Sequence, residues 1–263
     1  MPTLSAIYTY PLKSGGGLSL QQVTLDRFGP QGDRRWMLID ENRRFVSQRE
    51  DPRMARIRIE EQNGGLVFEL DGERITVSTP EDRRRCEVQI WSDRVSAVDA
   101  GDAAAEWFSE CLSRTLRLVH MPEASHRYVD GLYAREGETV SFADGFPLLL
   151  VSAAALDVLN DKLAEPVTLD RFRPNLVVSG CEPHAEDGWK RIRIGELEFD
   201  VAKPCARCVM PSIDQVTGDK HSEILRVLAS YRRGEDRQVY FGQNLLYRHP
   251  GVLRCGDPVE VLV

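Results

Sequence analysis

The sequence predicts a mainly β protein with a few helices. Three hairpin patterns lie close together in the first hundred residues, whereas only three segments have the apolar spacing of an amphipathic helix. Frequent short strands joined by tight turns favour a barrel or a sandwich over alternating β-α-β units. A chain of 263 residues is long enough for one large domain or two modest domains with substantial cores.

The predicted hairpins follow one another along the chain. RWMLID-ENRR-FVSQR predicts a hairpin over residues 35–49. GLVFEL-DG-ERITVS predicts a second over residues 65–78, with Asp71-Gly72 as the two-residue turn that the twist of the strands favours. CEVQIW-SD-RVSAVDAG predicts a third over residues 86–101.

Three helices are predicted from the spacing of apolar residues, which indicates faces that pack on a core. They cover residues 102–113, 152–163 and 222–232, and begin at Asp102, Ser152 and Ser222. Residues 121–145 are polar and aperiodic, so they predict a loop or a link between domains. We therefore expect two domains, residues 1–120 and 121–263.

Composition narrows the possible partners. The net charge of −7 argues against a general nucleic-acid binder, although local positive pockets can exist within an acidic protein. No apolar run approaches the roughly 20 residues that span a bilayer. The first residues lack the basic start and the apolar stretch of a signal peptide. We expect a cytoplasmic protein without nucleic-acid or membrane partners.

Six cysteines in such a chain indicate reduced and mostly buried thiols, and only Cys205 and Cys208 in CARC stand out by their spacing. Structural zinc would need further ligands, and Cys181 and His221 fit no zinc module. A thioredoxin-like pair would begin a helix, whereas VMPSIDQVTG predicts a loop. One thiolate could instead bind a redox metal, with Arg207 favouring its ionised form, or the cysteines could simply pack.

Two basic motifs lie near the start of the chain. In YPLKSGGG the glycines follow Lys13-Ser14 instead of preceding them, which excludes a P-loop. The pair could still hold an anion, or it could be a surface turn. In GDRRW an extended backbone would place Arg34 and Arg35 on opposite faces, so one should face solvent and the other a cleft or the interior.

A third basic motif, FRPNLVVSG, precedes an apolar strand. Arg173 and Asn175 at the mouth of that strand could form a fork for a phosphate and a planar heterocycle. Asn175 could also be a turn residue after the proline.

Taken in order, YPLKSGG, GDRRWMLID, FRPNLVVSG and CARCVMPSIDQVTG resemble the MOSC superfamily of molybdenum-cofactor proteins. Within it, the chain resembles the bacterial YcbX proteins and the mitochondrial amidoxime reducing component. The resemblance continues through FGQN at 241–244 to GVLRCGDPVEVL at 251–262. It implies an N-terminal β-barrel domain packed on a MOSC domain that is itself mainly a β-barrel.

The resemblance also implies the site residues. Cys208 would be the protein ligand of molybdenum, and Asp144 would lie at the open side of the metal. The residues expected around the pterin and its phosphate are Lys13, Ser14, Arg34, Arg173, Asn175 and Arg207. The chain departs from the family pattern at Ala206 and at Met210-Pro211-Ser212, where relatives often have hydroxyl side chains, so hydrogen bonding there should differ.

The function that the resemblance implies is a molybdenum-cofactor-dependent oxidoreductase. It would reduce N-hydroxylated compounds, such as hydroxylamines, amidoximes and N-hydroxylated bases, by oxygen-atom transfer. The chain has no ferredoxin-type cysteine motif, so electrons should come from a separate ferredoxin-like protein or flavoprotein reductase. The alternatives are a cofactor carrier or sulfur-transfer protein with a cysteine persulfide, and a zinc-binding interaction module. Pyridoxal phosphate binding is a further property that the resemblance implies, but only at the level of the superfamily.

Overall fold

The computed structural model describes residues 1–263, and its regular structure is mostly strands. This confirms the mainly β fold with a few helices. The strands are β1 (Thr3–Thr9), β2 (Leu18–Leu20), β3 (Gln22–Asp26), β4 (Gly29–Pro30), β5 (Trp36–Ile39), β6 (Arg58–Gln62), β7 (Gly65–Leu70), β8 (Glu73–Ser78), β9 (Arg85–Ile90), β10 (Asp93–Asp99), β11 (Arg117–His120), β12 (Leu148–Ser152), β13 (Leu176–Ser179), β14 (Arg191–Ile194), β15 (Leu197–Ala206), β16 (Tyr240–Tyr247), β17 (Gly251–Arg254) and β18 (Val259–Val261). The helices are α1 (Asp102–Leu112), α2 (Ala153–Asn160) and α3 (Glu223–Tyr231), with short 3-10 helices at Pro52–Arg56, Leu169–Phe172, Ala185–Gly188 and Met210–Ser212.

The largest sheet has eight strands in the order β18-β14-β15-β16-β12-β13-β1-β2. Only β12 and β13 pair in parallel, and their register places Leu150 opposite Leu176. Smaller antiparallel sheets have the orders β5-β11-β10-β9, β17-β3-β4 and β6-β7-β8. The wholly buried β12, LLLVS, lies inside the large sheet, whereas β7 alternates buried and half-buried residues because one of its faces is closer to solvent.

The first strands of the chain pair with strands from its second half. In β1, Ile7 lies opposite Leu176 of β13, and in β3, Val23 lies opposite Leu253 of β17. These four residues belong to a hydrophobic core of 14 buried residues that includes the large sheet. A second core of 16 buried residues lies around α1 and the β6-β7-β8 sheet. The division of the chain near residue 120 stays a prediction. No helix in the structure is both long enough and apolar enough to cross a membrane.

Two of the three predicted hairpins are present, one of them with its turn shifted by one residue. The hairpin of β7 and β8 turns at Asp71-Gly72, whose φ angles of 54° and 90° match the turn chemistry that the sequence indicated. The hairpin of β9 and β10 also forms, but the residues between its strands are Trp91-Ser92, one position earlier than predicted.

The first predicted hairpin is only half present. Strand β5 forms, but the returning residues make only two isolated bridges, Phe45 with Ile39 and Arg44 with Gln89. After Val46 the chain turns, since the Glu50 and Asp51 amides both donate to the Ser47 carbonyl. This local turn replaces the predicted second strand.

All three predicted helices are found, each shifted by one to three residues at an end. The predicted N-cap of the first is wrong: Gly101 occupies that position with φ of 100°, and the Asp102 carboxylate accepts a hydrogen bond from Arg117. Residues 121–145 contain no strand or helix, as predicted, but the segment is well packed. Arg127 donates to the carbonyls of Ser141 and Ala143 inside it.

Candidate active site

One pocket collects every site residue that the sequence indicated. It lies where the loop after β1, the segment before β12, the segment before β13 and the residues after β15 meet. The predicted residues that line it are Lys13, Ser14, Arg34, Asp144, Arg173, Asn175, Arg207 and Cys208.

The loop after β1 approaches the pocket closely because of its glycines. A Cβ at Gly16 would lie 2.7 Å from the Ile57 carbonyl oxygen, and one at Gly17 would lie 2.6 Å from the ring of Tyr10. Ser14 has φ of 65° and exposes only 5% of its surface. The glycines after Lys13 therefore serve close packing of the loop, and they hold the lysine and serine against the pocket.

Lys13 and Asp144 form an ion pair at the mouth of the pocket. Lys13 Nζ donates to Asp144 Oδ1 at 2.7 Å and to the Phe142 carbonyl at 2.9 Å. Burial lowers the pKa of Lys13 to about 8, although Asp144 partly opposes this shift.

Enclosure by protein atoms would raise the pKa of Asp144, but the charge and hydrogen bond of Lys13 and the charge of Arg49 lower it below its usual value. The side chain of Asp144 is 67% exposed, so little solvation is lost and the cations decide the direction. Asp144 is ionised at neutral pH.

Two arginines that line the pocket stack on one tyrosine. The guanidinium carbons of Arg34 and Arg173 lie 4.3 and 4.2 Å from the ring centroid of Tyr10. Behind the stack, Arg34 Nη1 donates to the buried Asp33 carboxylate at 2.6 Å and to Asn175 Oδ1 at 3.1 Å. Burial, with the nearby charge of Arg34, lowers the pKa of Arg173 to about 10, so Arg173 is a cation at neutral pH.

Asn175 holds this arrangement in place. Its side-chain oxygen accepts from Arg34 and from the Leu149 amide, and its side-chain nitrogen donates to the Tyr8 carbonyl at 3.1 Å. Every polar atom of the amide group thus has a protein partner, and Asn175 links β1, β12 and the guanidinium of Arg34.

Two guanidinium nitrogens in the pocket are buried without a hydrogen-bond partner. They are Arg173 Nη2 and Arg207 Nε. Other nitrogens of these side chains have protein partners, since Arg173 Nη1 donates to the Gly15 carbonyl at 2.6 Å and Arg207 Nη2 to the Phe172 carbonyl at 2.8 Å. A buried charged donor without a partner costs free energy, so these nitrogens are suited to an anionic ligand.

The two cysteines have different arginine partners, and the expectation that Arg207 would hold Cys208 is wrong. Arg207 Nη1 donates to Cys205 Sγ at 3.0 Å, whereas Arg49 Nη2 donates to Cys208 Sγ at 3.2 Å. Strand β15 ends at Ala206, and residues two apart at a strand end share a face, which places Arg207 beside Cys205. Cys208 lies beyond the strand and is exposed. Cys205 is half-buried and packs against the α2–α3 core, a cluster of nine buried residues that includes Leu159 of α2 and Leu228 of α3.

Arg49 is the site residue that the sequence did not indicate. Besides contacting Cys208, its guanidinium lies 3.9 Å from Asp144 Oδ2 and 4.8 Å from the ring centroid of Trp91. It stands in the turn that replaces the predicted second strand of the first hairpin. SQRED carries no motif, so nothing local marked this arginine as part of a site.

We expected one of the side chains of Arg34 and Arg35 to face solvent and the other to face a cleft or the interior. This expectation is also wrong, because neither side chain faces solvent. Arg34 has φ of 47°, so the backbone there is not extended and side chains do not alternate. Arg34 enters the pocket, while Arg35 is buried elsewhere and donates to the Met121 carbonyl and to Glu123.

The pocket is strongly positive although the protein as a whole is acidic. Only one carboxylate, that of Asp144, lines it, whereas five cations do: Lys13, Arg34, Arg49, Arg173 and Arg207. No group of three or more His, Cys, Asp and Glu side chains is placed to hold a metal ion. A soft metal in this pocket would therefore have cysteine sulfur as its protein ligand, with Cys208 the exposed one.

Comparison with known proteins agrees with this architecture. Residues 1–115 match the MOSC N-terminal beta barrel domain, and residues 137–260 match the MOSC domain, which confirms the two predicted modules. The chain thus has the two domains of a MOSC protein.

Three curated relatives define the family more closely. The chain is 31% identical to mitochondrial amidoxime-reducing component 1 of Mus musculus, with 99% of this chain and 82% of that protein covered. It is 30% identical to component 1 of Homo sapiens and 32% identical to component 2 of Rattus norvegicus. Each of these two alignments covers 99% of this chain and 83% of the relative. The chain belongs to the amidoxime-reducing component family. These relatives are mitochondrial by name, and the cytoplasmic location expected for this chain stays a prediction.

Proposed function

We propose that this protein is a molybdenum-cofactor-dependent reductase of N-hydroxylated compounds, supplied with electrons by a separate ferredoxin-like protein or flavoprotein reductase. One observation carries the proposal. The pocket that exposes Cys208 also holds two buried guanidinium nitrogens without partners, Arg173 Nη2 and Arg207 Nε. A ligand with an anionic group and a soft metal would satisfy both features.

The residues present fit such a cofactor. Arg173 and Arg207 would bind the pterin phosphate through their unpartnered donors, with Arg34 stacked beside Arg173 on Tyr10. The Ser14 hydroxyl and Lys13 would complete the cradle from the loop after β1, and the Cys208 thiolate would bind the metal. When bound, the molybdenum cofactor would supply the two-electron chemistry that removes the hydroxyl oxygen of the substrate.

The protein residues would then manage substrate orientation and protons. Reduction of an N-hydroxy group consumes two electrons and two protons and yields an N–H group and water. Asp144, ionised at the mouth of the pocket, would accept a hydrogen bond from an N–H or O–H of the substrate. Lys13 Nζ, bonded to Asp144 Oδ1, would supply a proton through that carboxylate to the departing oxygen.

A cofactor carrier or sulfur-transfer protein is the second candidate. The exposed Cys208 thiol beside Arg49 favours it, because a persulfide needs an accessible sulfur near a cation. Such a role would not use the buried cations around Tyr10, and for this reason we prefer the reductase.

The test is to produce the protein in a host that makes the cofactor and to measure three quantities together. These are molybdenum by elemental analysis, released pterin by mass spectrometry, and reduction of benzamidoxime with dithionite-reduced viologen as donor. Pterin and molybdenum near one per chain, with turnover, is the expected result. A sulfur adduct without pterin would support the carrier, and zinc without either would support an interaction module; both results would overturn the reductase.

A further inference from the structure

Trp91 occupies an unusual position in the fold. It is the first residue of the two-residue turn between β9 and β10, with φ of 54°. Bulky side chains rarely adopt positive φ, whereas asparagine, aspartate and glycine do so readily. The equivalent position in the hairpin of β7 and β8 is Asp71, also with φ of 54° and followed by glycine. The tryptophan thus strains a turn that a small polar residue would form easily.

Core packing does not explain the strain. Trp91 is 42% exposed and belongs to none of the buried clusters of the protein; its contacts are with residues at the edge of the pocket. An exposed large aromatic residue in a strained conformation is retained most simply for a role in binding.

Trp91 does not line the pocket itself, but it lies against Lys13 and Arg49, two residues that do. Its ring centroid lies 4.8 Å from that of Phe45 and 4.8 Å from the guanidinium carbon of Arg49. Arg49 in turn contacts Cys208 Sγ and approaches Asp144. The Arg49 guanidinium therefore links the indole to Cys208 and Asp144, and Lys13 Nζ lies 5.9 Å from the indole ring centroid.

We propose that Trp91 is a specificity-determining residue: its exposed indole surface stacks on a flat aromatic group attached to the N-hydroxylated carbon of the substrate. This inference rests on the proposed function. An uncharged aromatic ring fits the position because aromatic rings attract one another in offset or edge contacts. A cationic substituent would meet the positive charges of Arg49 and Lys13. Aryl amidoximes should accordingly bind better than alkyl amidoximes of the same charge.

The experiment uses the oxidised, cofactor-loaded protein without a reductant, so that binding is measured without turnover. Isothermal titration gives the Kd of benzamidoxime and of acetamidoxime for the wild type, Trp91→Asn and Trp91→Phe. Asparagine suits the turn but removes the ring, and phenylalanine keeps a ring. Tyr128→Asn, which removes a 62% exposed aromatic side chain away from the pocket, is the matched control.

In Trp91→Asn the Kd of benzamidoxime should rise about tenfold, as expected for the loss of one stacking contact. The Kd of acetamidoxime should not change, Trp91→Phe should keep most of the affinity, and the melting temperature of Trp91→Asn should equal or exceed that of the wild type. Equal losses for both ligands, or no loss, would overturn the inference.

Steady-state assays separate the remaining outcomes. If Trp91→Asn raises only the KM for the protein electron donor, the indole serves partner docking and the inference is wrong. If the wild type reduces both amidoximes while Trp91→Asn binds them normally, the inference fails and the proposed function stands. If the loaded wild type reduces neither compound, the proposed function itself fails.

Discussion

Arg49 Nη2 lies 3.2 Å from Cys208 Sγ, and this contact joins residues 159 positions apart in the sequence. The same guanidinium approaches the Asp144 carboxylate at 3.9 Å. Arg49 comes from the hairpin-rich first part of the chain, while Cys208 and Asp144 come from the second part. The two parts of the chain therefore build the candidate reaction centre together, and neither part contains it alone.

Arg49 should matter to the site although it belongs to none of the sequence motifs. In Arg49→Ala the Cys208 sulfur and the Asp144 carboxylate lose the guanidinium that contacts both. We expect activity or molybdenum retention to fall about 10–100-fold, as is usual for residues that orient a metal ligand. Arg49→Lys, which keeps a cation, should retain part of the lost activity. Arg83→Ala, at an 82% exposed side chain, is the control. Wild-type molybdenum content and turnover in Arg49→Ala would contradict the assignment.

The two cysteines should respond differently to replacement. Cys208→Ala should abolish reduction of N-hydroxylated substrates in a folded protein, because the proposed metal ligand is gone. Cys205→Ala should keep substantial activity and lose about 1 kcal/mol of stability, since its half-buried sulfur packs on the α2–α3 core. Side-by-side assays with an artificial donor and circular dichroism measure both effects. A fully active Cys208→Ala, or an inactive Cys205→Ala, would show that the ligand is misassigned.

Replacement of Arg173 should lower cofactor occupancy. Its Nη2 is the buried donor proposed for the phosphate, and a charge-assisted hydrogen bond contributes about 1.5–3 kcal/mol. Elemental analysis of Arg173→Ala should show less molybdenum per folded chain. Arg35→Met, at a buried arginine outside the pocket, controls for the general effect of removing such a residue. Equal molybdenum content in Arg173→Ala and the wild type would exclude this phosphate contact.

The stability of the cofactor-free protein should depend on Lys13 in alkaline solution. Its pKa falls from 10.5 to about 8 on folding, so between these values the unfolded chain binds more protons than the folded chain. The free energy of unfolding should therefore rise with pH across this window, by at most about 3 kcal/mol. Lys13→Met should remove this rise, as measured by urea titrations at pH 7.5, 8.5 and 9.5. An unchanged slope in the variant would show that Lys13 is not the titrating group.

Turnover should require a donor protein. The sequence contains neither a GxGxxG nucleotide motif nor an iron–sulfur cysteine motif, so NADH and substrate alone should give almost no product. Addition of a ferredoxin-like protein or flavoprotein reductase with its own reductant should start the reaction, which chromatography of the amidine product would follow. Sustained NADH-driven turnover by the purified chain would refute the need for a donor.

Much of the fold follows from local patterns. Asp71-Gly72 predicts its hairpin correctly because a two-residue turn needs positive φ, a preference encoded in the residues themselves. Trp91 shows where this reasoning ends: a tryptophan is not a turn former, so the sequence placed that turn one residue too late. The helices were found for the same local reason, since apolar spacing depends only on the helix period.

The sequence by itself marked the motifs of the candidate site: those of Lys13 and Arg173 as possible anion sites and CARC as a possible metal site, with the family resemblance pointing to Cys208. Only the tertiary structure decided which side chains meet. Arg207 contacts Cys205 because β15 ends at Ala206, and Arg49 reaches Cys208 because a turn replaces the predicted strand. Such contacts depend on how distant segments pack, and local propensity describes only the backbone conformation and burial of each segment. For that reason the residue types of the site could be predicted, and the partner of each sulfur could not.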